Sequence, residues 1–102
     1  MKYQLVLQLP ASSIKDYDAI IQLEDGIVTS LGNLGQVDGH DAGSGEMNIF
    51  ILTDQPKLAF DHVKQLLGTK DFMPELKAAY RKIGGDDFTI LHPTGLSHFA
   101  IA

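Results

Sequence analysis

Val37-Asp38-Gly39-His40-Asp41-Ala42-Gly43-Ser44-Gly45-Glu46-Met47-Asn48 is the stretch from which the architecture can be worked out. A short strand pattern at 35–38 enters it and a stronger one at 47–52 leaves it. Gly39, Gly43 and Gly45 supply the backbone freedom that a tight or bulged turn needs. With no helix between them, the two strands are expected to lie side by side and run antiparallel.

Upstream, Tyr3, Leu5, Leu7 and Leu9 alternate with Lys2, Gln4, Val6 and Gln8, the pattern of a half-buried strand that Pro10 stops. Ser12 and Ser13 offer caps for a helix, and Asp16 and Asp18 suit the positive end of its dipole. Tyr17, Ile20, Ile21, Ile27, Val28 and Leu31 recur at helical spacing, and Gly32 ends the run. At about 100° per residue this apolar stripe is centred close to Glu24, an unexpected place for a carboxylate.

Downstream, Thr53 or Asp54 can cap a second helix that carries Pro56 in its first turn. Ala59, Phe60, Val63, Leu66 and Leu67 form its apolar side, and Gly68 closes it. The segments 78–83 and 88–92 read as a hairpin around Gly84-Gly85-Asp86, although Lys77 to Tyr80 is also compatible with helix. The tail, Leu96 to Ala102, is apolar enough to pack back on the body. The order β-α-β-β-α-β with one extra C-terminal strand predicts an α+β, ferredoxin-like split βαβ domain. That arrangement is an antiparallel sheet with two helices on one face. One domain spans residues 1–102, without repeats or linkers.

Composition narrows the function classes. Apolar residues make up 44% of the chain, which suits a folded globule, and no cysteine is present for disulfides or thiolate metal sites. No apolar run approaches the ~18–20 residues of a membrane span. No signal-peptide pattern precedes the first strand, so a cytoplasmic protein is expected. The net charge of −5 is uneven: residues 1–54 carry eight acids against Lys2 and Lys15. That balance repels nucleic acid, and it is either plain solubility or an acidic face for a basic partner or a cation.

The candidate binding residues are Glu24, Asp38, His40, Asp41, Glu46 and Asn48. Oxygen and imidazole groups on a glycine-rich loop could hold a divalent cation, with His40, Asp38, Asp41 and Glu46 as its ligands. The spacing fits no established template. A calcium loop starting at Asp38 would meet His40 and Ala42 where it wants oxygen ligands. Gly43-Ser44-Gly45 opens a strand and has no lysine after it, which excludes phosphate and dinucleotide loops. No cofactor is therefore predicted, and the same residues can serve simply to shape a turn. Asn48, Phe50 and Leu52 share one strand face, while Met47, Ile49 and Ile51 share the other. If the Asn48 face meets the helices, Glu24 approaches Asn48 together with Asp38 or His40. Alternatively, Glu24 makes one buried bond to Asn48 or to backbone. His62, His92 and His98 are weaker candidates. No serine sits in a nucleophile elbow, and Tyr3, Tyr17, Phe50, Phe60, Tyr80 and Phe88 read as packing.

Asp38-Gly39-His40-Asp41-x-Gly43-x-Gly45-Glu46-Met47-Asn48-Ile49-Phe50-Ile51, with Tyr80-Arg81 and the run from Gly85 to Leu91, resembles a family of short bacterial proteins without an assigned activity. The resemblance covers nearly the whole chain. It implies a bacterial, cytoplasmic, single-domain protein and supplies no catalytic residue.

Three functions are compatible with this reading. The first is a non-catalytic binding module that forms a homodimer through its sheet, using Val6, Met47, Ile49 and Ile51. The second is a metal- or small-ligand-binding protein, an enzyme included, built on the polar hairpin 38–48 with Glu24. The third is a small acidic, immunity-type partner of a basic protein.

Overall fold

The computed structural model describes residues 1–14, 16–43 and 45–101; Lys15, Ser44 of the glycine-rich turn and Ala102 of the tail lie outside them. Alternating Tyr3–Pro10 forms β1 and Tyr17–Leu31 forms helix α1. Gly35–Gly43 and Glu46–Thr53 form the adjacent strands β2 and β3, and Pro56–Thr69 forms helix α2. Lys77–Lys82 and Thr89–His92 are β4 and β5, so the Lys77–Tyr80 segment is strand. It is pulled into the sheet by its antiparallel pairing with β1. The sheet order is β2-β3-β1-β4-β5, with every neighbouring pair antiparallel. With both helices on one face, this is the ferredoxin-like arrangement expected from the order of elements, extended by β5.

Register settles which residues meet the helices. Leu5, Leu7 and Leu9 of β1 stand opposite Ile51, Ile49 and Met47 of β3. Directly opposed residues in an antiparallel pair share a face. These residues pack against Ile20, Leu23, Ile27 and Leu31 of α1 and Ala59, Phe60, Val63 and Leu67 of α2. Burying each such side chain is worth about 1.5–3 kcal/mol, and this layer is the main core. The opposite face carries a smaller cluster, Val6 and Ala79 beneath Phe99, with Phe50, Phe88, Ile90 and Ile101 around it. The tail therefore packs back on the sheet, as its apolar character suggests.

Two of the expectations change here. Met47, Ile49 and Ile51 lie under the helices and Val6 lies under the tail, so the apolar sheet face expected to drive dimerisation is already covered. Asn48 sits on the face away from the helices and does not approach Glu24. The alternation of β3 permits only one of its two apolar sets to reach the helices, and the purely aliphatic set takes that place.

Capping also departs from the sequence expectation. Ser12 and Ser13 lie in a separate 3-10 turn, and Asp16 caps α1, its carboxylate accepting from the Ala19 N–H at 2.9 Å. Before α2, Thr53 Oγ1 donates to the Leu34 carbonyl at 2.6 Å and accepts from Gln55 N–H at 3.0 Å. Asp54 accepts from the Lys2 N–H instead of capping the helix.

Candidate functional site

β2 runs through Gly43, so Asp38, His40 and Asp41 belong to a strand and not to a flexible loop. Pairing with β3 is interrupted once, between Val37 and Gly39: Val37 stands opposite Ile51 and Gly39 opposite Phe50. Asp38 is the extra residue of a β-bulge, and Gly39 follows it at φ 111°, a conformation that favours glycine. The bulge shifts the phase of everything after it. Val37 and His40 both face the helices, in register with Ile51 and Ile49, where simple alternation would have put them on opposite sides.

His40 then meets α1. Its Nδ1 lies 3.0 Å from Glu24 Oε1; the imidazole is 26% exposed and the carboxylate 13%. An ionised carboxylate can only accept, so Nδ1–H donates and the ring is oriented with Nε2 as its other nitrogen. Tyr17 packs edge-on against the same ring, with centroids 6.4 Å apart.

Glu24 occupies the middle of an apolar arc, as the helical spacing implies, and the arc is divided there. Ile20, Leu23, Ile27 and Leu31 on one side are buried. On the other side Tyr17 is 70%, Val28 54% and Ile21 36% exposed. At about 100° per residue Tyr17, Ile21, Glu24 and Val28 fall within about 60° of one another around the helix axis. β2 is at the end of the sheet and among the described residues pairs with β3 alone. Its His40 touches both Tyr17 and Glu24 of α1, which brings this strand against the exposed arc.

The remaining candidates do not join the Glu24–His40 pair. Asp41 stands opposite Asn48 on the other face of the sheet, and Glu46, two residues from Asn48 along β3, shares that face. Asp38 borders a depression there with Gln4, Leu52 and Arg81. Among the described residues no group of three or more His, Asp or Glu side chains converges as a metal site would require. Asn48 is fully buried, and its Oδ1 accepts from Gln8 Nε2 at 2.9 Å. Gln8 Nε2 also donates to the Ala100 carbonyl at 3.0 Å, tying the tail to the sheet. The bonds to these two acceptors orient both amides, which leaves Asn48 Nδ2 on the side away from Gln8 and without a partner among the described residues.

Two features escape a reading of the sequence. One is the exposed half of the α1 stripe, for which the carboxylate at its centre was the available signal. The other is the buried Gln8–Asn48 link, because nothing along the chain marks two amides forty residues apart as partners. No family model, curated protein or solved structure matches the chain.

Proposed function

We propose that this protein is a non-catalytic interaction module whose working surface is the outer arc of α1 together with the free edge of β2. The observation that carries the reading is the exposure of Tyr17, Ile21 and Val28 on the helix that packs against β2, an edge strand that among the described residues pairs with β3 alone. Apolar side chains grouped at an open edge are costly to leave in water and are the usual material of protein contacts. A homodimer formed through the sheet, the arrangement expected from composition and fold, would have to use an edge, β2 or β5, since Val6, Met47, Ile49 and Ile51 are covered. The exposed apolar arc of α1 favours the β2 edge.

Selection of displayed random peptides on the wild-type chain tests the reading. Selected binders are expected to lose affinity for a Val28→Lys variant and to keep it for His62→Lys on the exposed side of α2. Binders indifferent to Val28→Lys would refute it.

The Glu24–His40 pair supports a second reading, a small-ligand or divalent-cation site, because a carboxylate that orients one ring nitrogen leaves the other for a proton or a metal. Calorimetric titration with Zn²⁺ and Mn²⁺, comparing wild type with His40→Ala, tests it. Absence of binding heat in both proteins ends that reading.

A further inference from the structure

We propose that the β2 edge takes up, as an added strand, an extended segment of another protein in which apolar residues alternate with Lys or Arg. The proposal rests on the reading of α1 and β2 as an interaction surface and names the partner that this surface fits.

The bulge gives the two faces beside this edge opposite chemistry. On the helix side, Val37, His40 and Ala42 stand in register with Ile51, Ile49 and Met47, and the exposed arc of α1 adjoins them. On the other side stand Asp38, bordering the depression at Gln4 and Arg81, and Asp41, opposite Asn48. Both aspartates are exposed. A strand added to β2 sends successive side chains to opposite faces. Every second residue would therefore lie beside Tyr17, His40 and the α1 arc, where apolar groups lose water-exposed surface. The intervening residues would lie beside Asp38 and Asp41, where cations are attracted. From Gly39 to Gly43 the pairing with β3 is regular, so this length of edge can accept a partner in uniform register.

Charge disfavours the simplest alternative occupant, a second copy. From Asp16 to Thr53, the segment spanning α1, β2 and β3, the chain has seven Asp and Glu and no Lys or Arg. Pairing two β2 edges would gather the aspartates of both copies on one face of the sheet, and like charges brought together across strands are destabilising. Acidic side chains and a bulge on an edge strand are common devices against self-pairing. The same charges favour a cationic partner and speed its encounter.

The test uses the ¹⁵N-labelled full chain and three end-capped nonapeptides, a length that matches the nine residues of β2. One alternates Lys and Val, one has the same residues in two blocks, and one alternates Glu and Val. The alternating Lys–Val peptide is expected to shift amide resonances of β2 and α1. It should bind about tenfold tighter than either control, with affinity falling as salt rises. Asp38→Asn/Asp41→Asn is expected to remove most of that advantage while leaving the free protein's spectrum otherwise unchanged. Equal binding of the block peptide or the Glu–Val peptide would overturn the proposal, as would shifts confined to β5 and the tail. Concentration-dependent dimerisation by sedimentation, abolished by Val28→Lys, would overturn it too but would uphold the interaction surface. So would Val28-dependent displayed binders that lack alternating cations. Binders indifferent to Val28→Lys would remove the surface itself.

Discussion

Glu24 Oε1 and His40 Nδ1 meet at 3.0 Å, joining the line that divides the α1 stripe to the strand segment re-aimed by the β2 bulge. The bond replaces two hydrated groups by one partly shielded pair, so its net worth is modest. In a double-mutant cycle with Glu24→Ala and His40→Ala, the coupling is expected near 1 kcal/mol by urea denaturation. Long-range ¹H–¹⁵N spectra should show the neutral His40 ring protonated at Nδ1. A neutral ring protonated at Nε2 would contradict the bond as drawn.

Gly39 is the backbone on which that meeting depends. Nothing lies within 4 Å of a Cβ added there, so room is not the obstacle; its φ of 111° is. Gly39→Ala is expected to cost about 1–3 kcal/mol and to weaken the Glu24–His40 coupling as the bulge relaxes. Calorimetric unfolding together with the His40 ring resonances reads both effects. Unchanged stability would show that the bulge does not require this conformation.

Gln8 and Asn48 hold a polar link in an otherwise apolar layer. Gln8→Leu strands Asn48 Oδ1 in the interior, at an expected cost of about 1–3 kcal/mol. Replacing both amides removes the stranded groups, so Gln8→Leu/Asn48→Leu should be more stable than Gln8→Leu alone. The order of the two denaturation midpoints decides the matter.

Phe99 anchors the tail, buried on Val6 and Ala79 and tilted against Phe88 at 5.0 Å between centroids. Phe99→Ala is expected to cost about 3 kcal/mol. His98→Ala, at its exposed neighbour, should stay within about 0.5 kcal/mol. Equal thermal shifts for the two variants would mean that the tail does not contribute to the core.

Much of the fold was legible along the chain because its signals are local. Alternation identified β1, helical spacing with Gly32 and Pro56 bounded the helices, and the glycines near Ser44 placed β2 beside β3. The candidate site was legible in its members but not in its grouping. Glu24 stood out as a carboxylate centred in an apolar stripe, and His40 as an imidazole in a glycine-rich segment. Their separation from Asp38, Asp41 and Asn48 was not visible, since period-two alternation assigns faces only until a bulge resets it.

The sequence by itself therefore determined the order of elements, the apolar sets that must be buried, and a continuous acidic stretch that contains no Lys or Arg from Asp16 to Thr53. Only the tertiary structure decided which apolar set of β3 lies under the helices, which half of the α1 stripe stays in water, and that Glu24 finds His40 and not Asn48. The reason is physical. Secondary structure arises from neighbours along the chain, whereas the choice of face depends on register, on one extra residue at Asp38, and on how far a helix is turned over the sheet.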